Sequence, residues 1–421
     1  MQDLPELRPP SKELGEEGNT EPSSRSVKGL DWFTFFLGDI QTGFGPFIAV
    51  YLTTQKWTQT DIGLVLSIGA LVSLISQIPG GWLVDRVRSE RSAAALALAG
   101  IGASAFIIAV WPVFIAVAVS RALQAAATSV LSPAIAAISL GLVGRRRLAA
   151  RLGRNARFAS AGNGAAAVIM GATGHFVSPQ AVFFVTAAFT APALAALFRI
   201  EDQEIKTVSA HGGVAAKERS GILPGLMELL KSRAMWVFMA GIVMFQLSNA
   251  SMLPIVATEL TKTSPSWAVS LIGGCIVLPQ IIVALFAPWV GRMAQKIGRR
   301  PLLVAALAVL PIRGALLASF DGVFSVVPVQ ILDGVSAAVL AVLVPLVIAD
   351  IAYGTGHFNL AQGVVGMSIG IAAAISTSAS GYVADTYGIH AAFMMLGAVG
   401  GIGALFLLLF MPETRPRHKF V

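Results

Sequence analysis

The chain has 421 residues, of which 55% are hydrophobic and only 12% charged, and its mean hydropathy is +0.75. A soluble domain carries about 25% charged residues, so this composition argues against a soluble enzyme and excludes a disordered chain. Cys275 is the single cysteine, which excludes an intramolecular disulfide and a cysteine-based metal cluster.

Residues 1–28 are polar, with Pro9-Pro10 and Glu16-Glu17. They contain no apolar stretch and are read as a disordered cytoplasmic tail, not a signal peptide. Twelve apolar segments follow, near 30–52, 60–83, 93–111, 113–142, 156–177, 181–199, 234–260, 267–290, 301–320, 323–350, 358–383 and 388–411. Each is continuous and long enough for a transmembrane helix, unlike the short alternating segments of a β-barrel. The expected fold is an all-α polytopic membrane protein of twelve helices.

Orientation follows from the positives. Of the 30 Lys and Arg, only Lys56 and Lys262 fall in loops assigned to the outside, and Arg121 and Arg313 fall within spans. The other 26 lie in tails, inner loops or inner helix ends, including Arg145, Arg146, Arg147, Arg151, Arg154 and Arg157 after span 4. By the positive-inside rule both termini are cytoplasmic and the membrane is a plasma (inner) membrane. The net charge of +8 is therefore assigned to topology and anionic lipid, not to nucleic acid.

The domain reading is a tail at 1–28, a six-helix bundle at 29–199, a cytoplasmic central loop at 200–233, a second bundle at 234–411 and a cytoplasmic tail at 412–421. Within the central loop, Leu226 to Arg233 either starts helix 7 or lies along the membrane surface. The bundles repeat at an offset of 208 to 212. Pro46, Ala49, Leu52 and Thr53 match Pro254, Ala257, Leu260 and Thr261; Trp57, Gly63 and Gly81 match Trp267, Gly273 and Gly291; Leu131 and Pro133 match Leu343 and Pro345. Two parallel halves imply a pseudo-two-fold along the membrane normal and a binding site between them near the midplane.

The loop after span 2 reads Gly81-Trp-Leu-Val-Asp85-Arg86-Val-Arg88-Ser-Glu-Arg91, and the loop after span 8 reads Gly291-Arg-Met-Ala-Gln295-Lys296-Ile-Gly298-Arg299-Arg300. Both resemble the G-x-L-x-D-R-x-G-R-R signature of the major facilitator superfamily. The first copy keeps the Asp and the second keeps the later Gly-Arg-Arg. The resemblance covers about residues 30–415 and implies a cytoplasmic gate at Gly81, Asp85, Arg86, Gly291, Gly298, Arg299 and Arg300. Arg121-Ala-Leu-Gln124-Ala125 is similar to the R-x-x-Q-G motif of proton-coupled members. The antiporter motif of span 5 is not intact: Gly162-Asn163-Gly164 and Gly171-x-x-Gly174 supply small residues without the proline. These glycines are read as serving close helix packing.

Ionisable residues at mid-depth are costly and point to function. They are Asp39 in span 1, Arg121 in span 4 and Asp333 in span 10, the last two pseudo-equivalent and so expected on opposite sides of the cavity. Asp39 or Asp333 carries the proton, with Arg121 modulating it or binding an anionic group; the alternative is a static interhelical ion pair. Arg313 snorkels outward or pairs with Asp321. Glu259 is an outer gate or a wet helix end. Asp31 and Asp350 are read as solvated at the inner interface. Gln41, Gln124, Asn163, Gln246 and Asn249 are either substrate contacts, as the resemblance implies for cavity-lining spans, or interhelical hydrogen bonds.

No Walker loop, nucleophile elbow or zinc-ligand helix occurs, so neither an ATP-driven pump nor an enzyme is expected, and no metal or cofactor. The expected partners are a small-molecule substrate, protons and the bilayer, with the chain acting as a monomer. The functional expectation is a secondary active transporter, proton-coupled and exporting a small organic molecule. The alternatives are proton-coupled uptake of a nutrient or siderophore, a non-transporting receptor on the same fold, or a membrane enzyme.

Overall fold

The computed structural model describes the backbone of residues 22–42, 46–87, 89–206, 210, 221–263, 265–319 and 325–416, and their side chains except at 39–42, 46, 265, 266 and 268–270. Among these residues there is no strand. The first half holds α1 (Ser24–Thr42), α2 (Pro46–Thr54), α3 (Gln59–Arg86), α4 (Glu90–Val110), α5 (Phe114–Phe176) and α6 (Pro179–Leu197). An amphipathic helix, α7 (Ile222–Lys231), leads into the second half. That half holds α8 (Arg233–Asn249), α9 (Met252–Thr263), α10 (Pro265–Lys296), α11 (Arg300–Ser319), α12 (Val326–Ile351), α13 (Phe358–Tyr387) and α14 (Ile389–Phe410).

Ten helical stretches are long and apolar enough to cross a membrane. The longest, α5, has 63 residues, about 95 Å at the α-helical rise, and crosses twice. Neither α1 nor α2 is among the ten, and the residues between them lie outside those described, so ten is the number of such stretches among the described residues. Side-chain caps start several of the helices: Thr58 accepts from the Asp61 amide, Ser89 from Ser92, Ser178 from Ala181 and Ser232 from Met235. Large apolar side chains such as Leu71, Ile75, Leu96, Ile115 and Leu285 stay exposed on the outside of the helices, as a lipid-facing surface requires.

Two expectations change and a third is narrowed. Residues 24–28, read as tail, already belong to α1. The arginine-rich segment after span 4, read as a loop, is helical; the break between spans 4 and 5 is a single residue, Gly144, at φ 66 and ψ 171. Only glycine enters that left-handed region without strain. Gly354, at φ 83, breaks the chain between α12 and α13 at the same offset of 210 that matches Gly81 to Gly291. Of the two readings for Leu226 to Arg233, residues 226–231 belong to α7, a helix separate from the span that follows, which agrees with the second.

Most of the Lys and Arg gather at one end, here the arginine-rich end. The hydrophobic core shows how the halves meet there. One cluster joins Leu148, Ala149 and Leu152 of α5 to Val290, Leu346, Val347 and Leu360 of the second half. The cluster around Met252, Ile255, Leu271 and Leu396 at the opposite end draws on the second half alone. The halves are thus packed together at the arginine-rich end.

The span-5 glycines do not act alike. A Cβ at Gly162 would collide with the Phe35 carbonyl of α1, whereas Gly164 and Gly171 meet nothing within 4 Å. Close packing is therefore the role of Gly162, not of the group. Gly162→Val is expected to cost about 1–3 kcal/mol by overpacking and to lower the melting temperature of the detergent-solubilised protein. Gly164→Val should leave it unchanged; equal melting of the two variants would contradict this assignment.

Candidate functional site

At the arginine-rich end α3 crosses α13 so closely that backbone meets backbone. A Cβ at Gly81 would strike the Asn359 carbonyl, and one at Gly363 the Gln77 carbonyl. One turn further, Asp85 is 2% exposed. Its carboxylate accepts from the Asn359 amide at 3.2 Å, the Asn359 side chain at 2.8 Å and the Leu360 amide at 2.8 Å. These donors sit at the start of α13, so the negative charge also faces the positive end of the helix dipole.

The second half repeats the arrangement between α10 and α5. A Cβ at Gly291 would strike the Ala149 carbonyl, and one at Gly153 the Ala287 carbonyl. Gly81 and Gly291, Asn359 and Ala149, and Gly363 and Gly153 are each 210 residues apart. Gln295 stands where Asp85 stands in the first copy and donates to the Arg146 carbonyl at 2.8 Å. The loss of the carboxylate there removes a charge but keeps a bond across the halves.

Two carboxylates expected to be solvated are instead buried among arginines. Asp31, 2% exposed, takes Arg151 at 2.6 Å and Arg154 at 2.5 Å, which fastens α1 to α5. Asp350, its side chain fully buried, takes Arg145 at 3.1 Å and Arg299 at 2.9 Å. Arg145 lies in the first half and Arg299 in the second, so this carboxylate joins the halves. Hydropathy could not reveal this burial, because it is the partner helix and not the membrane that covers these groups.

The remaining gate candidates act within one half. Arg86 stacks on Trp82, with 4.6 Å from guanidinium to ring centre. Gly298 has φ 102 and leads into the start of α11, where Glu413 accepts from the amides of Arg299 at 2.9 Å and Arg300 at 3.1 Å. The Arg300 side chain donates to the Leu408 carbonyl. Arg88 lies outside the described residues.

At mid-depth, Asp333 pairs with Arg313 at 2.6 Å. Arg313 is 1% exposed and also donates to Gln330 at 2.8 Å and to Asn249. The Asp333 side chain keeps 21% exposure. Arg313 therefore neither snorkels outward nor needs Asp321, which lies outside the described residues. Its partner is a helix neighbour that sequence distance hides. Arg121 is not brought to Asp333 by any contact; it donates to Gln124 at 2.9 Å, and its Nε is buried without a hydrogen-bond partner among the described residues. Asn163 reaches Gln280 across the halves at 3.4 Å. Gln246 is half-buried on α8, one turn before Asn249. The side chains of Asp39 and Gln41 lie outside the described residues. Glu259, with Lys262, Ser380 and Asp385, lines a cavity of about 380 Å³ at the opposite end of the second half.

Comparison with known proteins fits this geometry. A family model described as Major Facilitator Superfamily matches residues 32–260 and 242–421. An MFS-type transporter of Mycobacterium tuberculosis is 36% identical over 392 residues, 93% of this chain and 94% of that relative. The class G tetracycline resistance protein of Vibrio anguillarum is 28% identical over 39% of this chain and 42% of its own. Among solved structures, the Escherichia coli fucose:proton symporter FucP superposes with a TM-score of 0.72 at 16% identity, covering 93% of this chain and 100% of that one.

Charge-assisted bonds of the kind made by Asp85 are worth about 1.5–3 kcal/mol each. Asp85→Asn is expected to loosen the closed end and to speed alkylation of a cysteine placed at Gln77, in a Cys275→Ser background, by roughly tenfold or more. An unchanged rate would show that Asp85 does not hold the halves together.

Proposed function

The chain belongs to the major facilitator superfamily, and from that premise we propose that it exports a small organic molecule in exchange for protons. It is a multi-pass membrane transporter, not an enzyme. In the proposed topology the arginine-rich end faces the cytoplasm, both termini with it, and the six-helix halves at 29–199 and 234–411 rock about the site between them. The closed end then corresponds to an outward-facing state. Gly81, Asp85, Gly291 and Arg299 belong to its gate, with Arg86, Gly298 and Arg300 supporting the helix ends on which it is built.

The observation that carries the proton coupling is the Arg313–Asp333 pair. The arginine side chain is 1% exposed and the aspartate side chain 21%. A proton reaching Asp333 cancels its charge and leaves Arg313 with only the neutral acceptors Asn249 and Gln330. A buried charge that loses its counter-charge is strongly disfavoured, so protonation favours a different packing of α8, α11 and α12. That link between a proton and helix packing is what an exchanger requires. Asp39 is proposed as the carboxylate of the opposite half. Arg121, with Gln124, is proposed to bind an anionic group of the cargo or to tune the proton site. Asn163, Gln246 and Gln41 complete the polar lining. The export direction is supported by a relative named a multi-drug resistance efflux pump in Streptococcus pneumoniae, 27% identical over 34% of this chain and 35% of its own.

Purified protein in proteoliposomes with an imposed pH gradient should dissipate that gradient when a transported compound from a varied panel is added. Asp333→Asn should reduce this to the level of empty liposomes while still exchanging labelled compound across the bilayer. Full coupling in both Asp333→Asn and Asp39→Asn would refute the reading.

A further inference from the structure

The arginine-rich end contains a cleft beside the closure contacts, sharing some of their residues. It encloses about 440 Å³ and is lined by Arg145, Arg146, Gln295, Arg299, Arg415 and Pro416. Three separate parts of the chain build it: the start of the span after Gly144, the junction of α10 and α11, and the segment after α14. Two of the guanidinium groups, Arg145 and Arg299, are shared with Asp350. The Glu413 carboxylate nearby is engaged by the amides of Arg299, Arg300 and Arg415. Arg415 donates to the Lys296 carbonyl, and the Arg146 carbonyl accepts from Gln295. No carboxylate lies within ion-pair distance of Arg146 or Arg415 among the described residues.

The cleft therefore holds more positive than negative charge, contributed by guanidinium groups of both halves. Guanidinium forks match tetrahedral oxyanions that can accept from several directions at once. We propose that this cleft binds a phosphate group, from a soluble phosphate ester or from an anionic lipid headgroup, and that bound phosphate holds the halves closed at this end. The walls come from both halves, so the cleft exists as a unit only while Arg145 and Arg146 sit against Gln295 and Arg299. A ligand that recognises one arrangement of two shifts the population toward it. The clamp rests on the rocking of the halves and not on proton coupling, so it stands or falls separately from the behaviour of Asp333.

The test uses full-length protein carrying Cys275→Ser and Gln77→Cys, with maleimide labelling as the reporter of opening at this end. One arm adds sodium pyrophosphate to protein in neutral detergent, with sodium chloride at matched ionic strength as the control. The other compares nanodiscs of phosphatidylcholine with nanodiscs containing phosphatidylglycerol. The expected result is a saturable slowing of labelling, roughly fivefold or more, that disappears in Arg146→Gln/Arg415→Gln. That double variant leaves the Asp350 and Asp85 contacts in place and should melt at the wild-type temperature without ligand. Slowing by pyrophosphate assigns a soluble anion and slowing by phosphatidylglycerol alone assigns a lipid headgroup; either supports the proposal. No slowing in either arm, or slowing that survives the double substitution, overturns it.

Discussion

Two pairs of helix backbones touch across the halves, at Gly81 against Asn359 and at Gly291 against Ala149, and the closed end is arranged around those contacts. Neither tolerates a side chain, so the helices approach to a distance at which carbonyl and amide groups of one half lie within reach of the other. Asp85 exploits this on one side and Gln295 on the other. Both contacts lie just past a left-handed glycine, Gly144 or Gly354, that ends the preceding span and aims the next one. The arrangement is the product of duplication, each member of one copy standing 210 residues from its counterpart.

Around these contacts the charges fall into two classes. Asp31, with Arg151 and Arg154, ties α1 to α5 inside one half, and its partners need not separate when the halves rock. Asp85 finds its partners in the opposite half and Asp350 has partners in both, so opening this end must break bonds that only closure can form. Burial of such groups adds little net stability, since desolvation offsets most of the attraction, but removal of one partner is expensive. In the proposed cycle these carboxylates serve as latches on a conformation more than as sources of stability. Arg313 and Asp333 form a third case, a pair within one half, with the arginine buried and the aspartate partly exposed.

Much of this was legible in the sequence, and the misses have physical causes. Span number and the repeat offset were readable because hydropathy and glycine placement are local properties. The loop signature pointed to Gly81 and Asp85 because their chemistry is compressed into a few consecutive residues. Asp31 and Asp350 were misread as solvated because they sit at span ends, where hydropathy reports the water interface and cannot report a covering helix. For Arg313 the sequence offers only snorkelling outward or pairing with Asp321 nearby along the chain, whereas the structure brings Asp333 of α12 beside it. The helical path through Gly144 was hidden by six arginines that read as a loop but, like other long side chains, are good helix formers. The equivalence of Gly144 and Gly354 was available from the offset already found.

The central claim is that the two ends open in alternation about these glycine contacts. Distances between paired nitroxides, measured by double electron–electron resonance in a Cys275→Ser background, test it most directly. One pair at Leu83 and Ile297 reports the arginine-rich end; a second at Gln55 and Lys262 reports the opposite end. On moving from alkaline to acidic buffer, the account predicts reciprocal changes, one pair lengthening as the other shortens. A single fixed distribution at both ends, or a change of the same sign at both, would contradict it.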